Sequence, residues 1–224
     1  MLTSAKMYRP RIKICGITQP EDALAAVAAG ADAIGLVFYP PSCRYVSMEQ
    51  ARQIAALIPP FITLTGLFVD HDIAHIAAIH QQLRLSLLQF HGNESPAFCA
   101  SVSHQLGLPF IRAIPVDSTD TIEQACVAYS AAQGLLLDHH DAHQSGGTGR
   151  TFDWSMIPES PTKPLILAGG LHTGNVMQAL RQVQPYAIDV SSGVEQTRGV
   201  KSTAKIQAFI AQVYRHTCHQ MPLP

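Results

Sequence analysis

Residues 11–38 read RIKICGITQPEDALAAVAAGADAIGLVF. An apolar-rich run, Arg11–Cys15, is followed by the Ala-rich stretch Pro20–Ala29 and then by the continuously apolar AIGLVF of Ala33–Phe38. Short β-branched runs that are apolar at every position suit strands buried on both faces of a parallel sheet. The segment between them has helical composition and local stop signals. Thr18, followed by Gln19-Pro20-Glu21, puts a capping hydroxyl before a proline, with Glu21 at the capping-box distance. Gly30 stands where a left-handed residue ends a helix. Strand, helix, strand is therefore the expected unit.

The same alternation continues along the chain. Further strands are expected at Leu64–Val69, Ser86–Phe90, Phe110–Pro115, Leu135–Asp138, Pro164–Ala168 and Ala187–Val190. Helices are expected at Met48–Leu57, Asp72–Gln82, Pro96–Gln105, Thr121–Ala131, Asn175–Gln184 and Thr203–Val213, with only a short FDWSM turn between the sixth and seventh strands. Ser47 with Gln50, and Asp72, read as further N-caps. Eight strand signals about 25 residues apart fit a single-domain α/β fold, a (β/α)8 TIM barrel. A doubly wound open sheet has the same alternation, but no G-x-G-x-x-G follows the first strand. The expected division is an extension over residues 1–10, the barrel over 11–215 and a tail over 216–224.

Composition narrows the partners. Hydrophobic residues make up 47% and charged residues 14%, enough to fill a large core and too apolar for a disordered chain. A net charge of -1 leaves no electrostatic footprint for nucleic acid, so a small molecule is the expected partner. No apolar run reaches the ~18 residues of a membrane span, and Lys6, Arg9, Arg11 and Lys13 interrupt any secretory h-region. Five cysteines, odd in number and never in a C-x-x-C pair, argue against a disulfide framework or zinc site and for a reducing cytoplasm. His139, His140 and His143, beside Asp138, Asp141, Gln144 and Ser145, read as a solvated loop and not as a metal site.

In a barrel of this type, functional side chains stand at the C-terminal ends of strands and in the loops that follow. Those positions are Cys15, the Tyr39–Tyr45 loop, Asp70, Gln89, His91, Gly92, Arg112, Asp138, Gly169-Gly170 and Asp189–Gly193. They are polar or glycine-rich although the strands before them are apolar. AGG after the seventh strand and SSG after the eighth lie in the two loops where such barrels hold phosphate on unobstructed N–H groups. Gly169, Gly170, Ser192 and Gly193 are thus the expected phosphate site. His91 is expected to be a hydrogen-bonded strand-end residue, and Trp154 to pack.

These residues carry a resemblance. KICGIT (Lys13–Thr18), FYPPSCRYVS (Phe38–Ser47), GLFVD (Gly66–Asp70) and LLQFHGNE (Leu87–Glu94) resemble motifs of phosphoribosylanthranilate isomerases of tryptophan biosynthesis. So do LLLD with GGTGRTFDW (Leu135–Trp154), LAGGL (Leu167–Leu171) and DVSSGVE (Asp189–Glu195). The match runs in order from Lys13 to Phe209. It implies an Amadori rearrangement of N-(5-phosphoribosyl)anthranilate to 1-(2-carboxyphenylamino)-1-deoxyribulose 5-phosphate, with no metal or organic cofactor. It implies Cys15 as general base, Asp138 as general acid and Arg44 as partner of the anthranilate carboxylate. It also implies a cytoplasmic protein, monomeric or homodimeric. The chain departs from the family pattern at Ser202, where an aspartate is usual, at Cys43 in place of a proline, and at Leu88-Gln89-Phe90 in place of V-Q-L.

The chemistry suits the residues taken by themselves. Opening a ribosylamine ring needs an acid at the ring oxygen, and forming the enolamine needs a base at C2′. A thiol needs a cationic neighbour, or the substrate's own arrangement, to work as that base near neutrality. Asp138, ending the run LLL, is expected to keep its proton through burial. Two alternatives remain at this point. One is another phosphate-binding barrel enzyme, such as a histidine-pathway aldose–ketose isomerase or an indole-forming lyase. Those would call for an aspartate at the end of the first strand or a Lys/Glu set, where this chain has Cys15. The other is a catalytically silent barrel that binds a phosphorylated ligand.

Overall fold

The computed structural model describes residues 9–139 and 151–219. Eight parallel strands close on themselves in chain order, β8 pairing with β1. They are β1 (Arg11–Cys15), β2 (Ala33–Val37), β3 (Thr63–Phe68), β4 (Leu87–Phe90), β5 (Phe110–Val116), β6 (Gly134–His139), β7 (Leu165–Leu167) and β8 (Ala187–Val190). Between them run α1 (Pro20–Ala29), α2 (Met48–Ala55), α3 (Ile73–Leu83), α4 (Pro96–Leu106), α5 (Thr119–Ala128) and α6 (Val176–Val183), with α7 (Thr203–His219) last. One 3₁₀ turn, Trp154–Met156, stands between β6 and β7 where only a turn was expected. The barrel is closed, and the open sheet is excluded.

Alternation along each strand sorts the core. Ile12, Ile14, Ile34, Leu36, Leu135 and Leu137 point outward and are wholly buried under the helices. Ile111, Ala113, Leu136, Ile166, Ala168 and Ala187 point inward and plug the barrel. Both faces of the sheet are therefore apolar, which is why the strands read as continuous hydrophobic runs. At the C-terminal mouth the plug ends in a small apolar layer of Cys15, Val37 and Leu67, and polar side chains begin.

Most local signals act as read. Gly30 is left-handed and its N–H closes α1 on the carbonyls of Ala26 and Val27. Ser47 and Gln50 form a reciprocal capping box on α2, and Asp72 accepts from the His75 N–H to cap α3. The first cap differs. Gln19 is the N-cap residue of α1 and makes no side-chain cap, while the Thr18 hydroxyl donates 2.8 Å to the carbonyl of Gly199. Thr18 ties the first loop to the last.

A short antiparallel hairpin, β9 (Glu195–Thr197) and β10 (Val200–Lys201), lies between β8 and α7. Ser202 then opens α7, its hydroxyl accepting from the Lys205 N–H at 3.4 Å. An anion at that cap complements the helix dipole. Ser202→Asp is therefore expected to raise stability by some tenths of a kcal/mol, roughly 0.3–1, and to leave kcat/KM unchanged. Chemical denaturation with a parallel turnover assay checks both.

Arg9 holds Asp32 through two hydrogen bonds of 2.8 and 2.6 Å, and α7 runs past residue 215 to His219. His140, Asp141, His143, Gln144, Ser145 and the GGTGR segment lie outside the described residues, as do the first eight residues and the last five. Among the described residues no helix is long and apolar enough to cross a membrane.

Candidate active site

The barrel mouth holds one pocket to which nearly every strand contributes. It is lined by Cys15 of β1, Val37 of β2, Leu67 of β3, Gln89 of β4, Asp138 of β6 and Asp189 of β8. The loops add Tyr39, Ser42, Arg44, Val69, His91, Ala168–Leu171, Ser191 and Ser192. Of the expected site residues, Cys15, Arg44, Asp138, Gly169, Gly170 and Ser192 meet here. Gly193 does not line the pocket. A Cβ on it would stand 1.9 Å from the carbonyl oxygen of Leu171, so this glycine lets the β7 and β8 loops touch.

Cys15 closes β1 and is 5% exposed. Gly16 follows it with φ 72°, and a Cβ there would lie 2.5 Å from Arg44 Cδ. Burial pushes the Cys15 thiol up, and the charges of Lys13 and Lys201 pull against it without overcoming it. The free protein thus carries the protonated thiol. The expected cationic neighbours are present, but the balance still favours S–H.

Asp138 shows the reverse. Burial would raise its carboxyl, but His91 Nε2 stands 3.2 Å from Oδ2 and the His139 N–H donates 2.8 Å to Oδ1. The hydrogen bond and charge of His91 outweigh burial, and the carboxyl lies below the ordinary carboxylate range. The expectation that burial keeps Asp138 protonated is corrected: it is a carboxylate. His91 is itself held at Nδ1 by Gln89 Nε2, at 3.1 Å. With the amide donating, Nε2 carries the imidazole proton and aims it at Asp138. Sequence reasoning saw His91 as a hydrogen-bonded strand-end residue and missed that its partner is Asp138.

The loop carrying His91 is fixed from below. Glu94 accepts from the N–H groups of Asp70 and Gly92, each at 2.9 Å, and from Arg112 Nη1 at 2.7 Å. Arg112 also donates 2.6 Å to the Gly92 carbonyl. Asp70, Gly92 and Arg112, picked out as strand-end positions, do not line the pocket and instead build the loop.

Arg44 lies across the mouth from the β2–α2 loop. Its Nε and Nη2 donate to the two oxygens of Glu195 at 2.6 and 3.0 Å, and Lys201 Nζ donates to the same carboxylate at 2.9 Å. Glu195 is thereby held low against the upward push of burial. Two of five guanidinium donors serve Glu195, so the fork has a second edge to offer. Cys43, the departure beside it, is exposed and accepts from Arg198 Nε at 3.3 Å, which sets the loop from the hairpin side. In the same pocket, Gly169 and Gly170 both have positive φ, 70° and 67°, a conformation that glycine adopts without steric cost. A Cβ on Gly169 would press on the His139 N–H at 2.7 Å and on Asp138 Oδ1 at 3.1 Å, so the phosphate-type loop and the carboxylate are packed together.

Known proteins share this sequence pattern and this fold. The sequence pattern of the family described as N-(5'phosphoribosyl)anthranilate (PRA) isomerase matches residues 12–212. An N-(5'-phosphoribosyl)anthranilate isomerase of Pseudomonas fluorescens is 54% identical over 205 residues, 92% of this chain and 96% of that protein. One from Hahella chejuensis is 52% identical over 213 residues, covering 95% and 98%. Among solved structures, the phosphoribosyl anthranilate isomerase of Thermotoga maritima superimposes with a TM-score of 0.84 at 38% identity, covering 92% of this chain and 99% of that one. Another, 36% identical with a TM-score of 0.77 and the same coverage, is a complex with reduced 1-(o-carboxyphenylamino)-1-deoxyribulose 5-phosphate. A closed eight-stranded barrel with a thiol, a carboxylate and two glycine loops at its mouth, matched over nearly its whole length, belongs to the N-(5'-phosphoribosyl)anthranilate isomerase family.

Proposed function

We propose that this chain isomerises N-(5-phosphoribosyl)anthranilate with Cys15 as general base and Asp138 as general acid. The observation that carries the assignment is that both groups line one pocket, from strands β1 and β6 on different sides of the barrel mouth. Arg44, Gly169, Gly170 and Ser192 line that same pocket. A guanidinium and two loops of backbone N–H groups in one pocket suit a molecule that carries both a carboxylate and a phosphate. Backbone N–H groups of the glycine loops take the phosphate, and the free edge of Arg44 takes the ring carboxylate.

The acid step uses the His91–Asp138 pair. For the cycle to begin, the Cys15 thiol gives up its proton and the Asp138 carboxylate, 3.2 Å from His91 Nε2, takes one up. Asp138 passes that proton to the ring oxygen, the C1–O bond breaks and the Schiff base forms. Cys15 then takes the proton from C2′, and the electrons of that C–H bond become the enolamine double bond. Tautomerisation of the enolamine gives the ketone, so no atom is gained or lost.

Arg44→Ala is expected to cost the carboxylate-bearing substrate roughly 1.5–3 kcal/mol in kcat/KM, the worth of a charge-assisted hydrogen bond. Lys201 still neutralises Glu195 in that variant, so the fold should survive. A product analogue lacking the ring carboxylate should bind wild type and variant alike. Equal losses for both ligands would make Arg44 a loop-shaping residue. A turnover assay with substrate generated in situ tests the assignment directly.

A further inference from the structure

We propose that Lys13, held by Asp189, is the positioning residue that receives the negative charge of Cys15 when the thiolate forms. The inference rests on the reading of Cys15 as base. Lys13 and Cys15 are alternate residues of β1 and both point into the barrel. Their side chains meet over the bare α-carbon of Gly35 in β2. A Cβ there would lie 2.9 Å from Cys15 Sγ and 3.2 Å from Lys13 Cε. The Lys13 ammonium is 5% exposed and donates 3.0 Å to Asp189 Oδ1 on β8. Asp189 and Cys15 both favour its charged form, against the burial that opposes it.

Four charged groups face the thiol: Lys13 on its own strand, Asp189 on β8, Lys201 on β10 and Arg44 from the β2–α2 loop. Two of the three cations are committed elsewhere. Lys201 gives its three donors to Ser191 O, Ser191 Oγ and Glu195 Oε1, at 3.1, 3.1 and 2.9 Å. Arg44 is engaged with Glu195. Lys13 gives one donor to Asp189, and its charge acts on the thiol beside its own side chain. Asp189 keeps the buried cation in place and offsets part of its charge, so the thiol stays protonated until substrate is bound. As the thiol yields its proton to the Asp138 carboxylate, which needs one to act as acid, the thiolate forms beside a lysine already in place. That preorganisation is what a buried base needs, because water is not there to reorganise around it.

The test is the pH dependence of alkylation of Cys15 by iodoacetamide, read on its own peptide by mass spectrometry so that exposed Cys43 does not interfere. Lys13→Met leaves Asp189 facing the thiol and is expected to raise the midpoint by about one pH unit or more. Asp189→Asn leaves Lys13 uncompensated and is expected to lower it. The alkaline limb of kcat/KM for Lys13→Met should move with the alkylation midpoint, and kcat should fall roughly tenfold or more with KM within about threefold. Opposite shifts in the two variants support the assignment. Shifts of the same sign, or none, overturn it, since a loosened β1–β8 contact would move both alike. If Lys13→Met does not fold, Asp189→Asn decides alone, and an unchanged or raised midpoint overturns the proposal. A wild-type rate in Cys15→Ser would instead refute the base assignment while leaving the alkylation result to stand by itself.

Discussion

Replacing Cys15 by serine is expected to lower kcat by at least ~10²-fold, the contribution of a general base, with a much smaller change in KM. The two side chains differ by little in volume, so the closure of β1 against Gly35 and Gly16 survives the change. What is lost is acidity. Burial holds even the thiol above its ordinary value, and a hydroxyl in the same place would be far less willing to ionise. The sign fixes the pH profile. In the free protein Cys15 is protonated and Asp138 ionised, so the alkaline limb belongs to the thiol and lies above the ordinary thiol value. The acid limb belongs to Asp138, held low by His91 and His139 against burial. Cys15→Ser should therefore abolish the alkaline limb and leave the acid limb in place, as measured by kcat/KM across pH.

Asp138→Asn is expected to reduce kcat by a comparable ~10²-fold or more, because an amide has no proton to give the ring oxygen. The His139 N–H still finds an acceptor in the amide oxygen, so the end of β6 keeps its geometry. His91→Gln is the informative companion. It removes the largest of the groups that hold Asp138 ionised, and the acid limb should move toward higher pH as burial is opposed by His139 alone. The double variant Cys15→Ser/Asp138→Asn should lose much less than the product of the single losses, since both groups serve one reaction sequence. Full multiplicative loss in pre-steady-state assays would mean that the two act in independent steps.

The barrel was legible because its signals are local. Each strand announces itself by apolar residues on both faces, and Gly30, Ser47 and Asp72 end or begin their helices through contacts within a few residues. Strand positions agree to within one or two residues, while α5 begins two residues earlier than expected because Ser118 is its cap. Thr18 misled because its nearest hydrogen-bond acceptor, Gly199, is 181 positions away in sequence. The hairpin at Glu195–Lys201 had a sequence signal in the T-R-G turn, whose Gly199 has φ 85°, and it went unread beside the stronger strand pattern.

The site divides the same way. Strand-end position identified Cys15, Asp138, Arg44 and the glycine loops, since the architecture puts such residues at the mouth whatever their partners. The partners were not legible. Arg44–Glu195 spans 151 positions, Lys13–Asp189 spans 176, and His91–Asp138 joins β4 to a strand two places away around the barrel. Those unseen contacts decide the protonation states. Burial taken alone predicts a protonated Asp138, whereas His91 makes it an anion. Gly193 carries a demand that the sequence did not show: a Cβ there would stand 1.9 Å from the Leu171 carbonyl oxygen, so the residue must be bare for the two loops to touch.

The central claim is that Cys15 removes the C2′ proton of N-(5-phosphoribosyl)anthranilate. Its most direct test is a single-turnover experiment with substrate generated in situ, once with hydrogen and once with deuterium at C2′ of the ribose. The wild-type chain should form 1-(2-carboxyphenylamino)-1-deoxyribulose 5-phosphate more slowly from the deuterated substrate, and Cys15→Ser should form it at no more than a few per cent of the wild-type rate. Product formed by Cys15→Ser as fast as by the wild type, or no product from the wild type at all, would contradict the account.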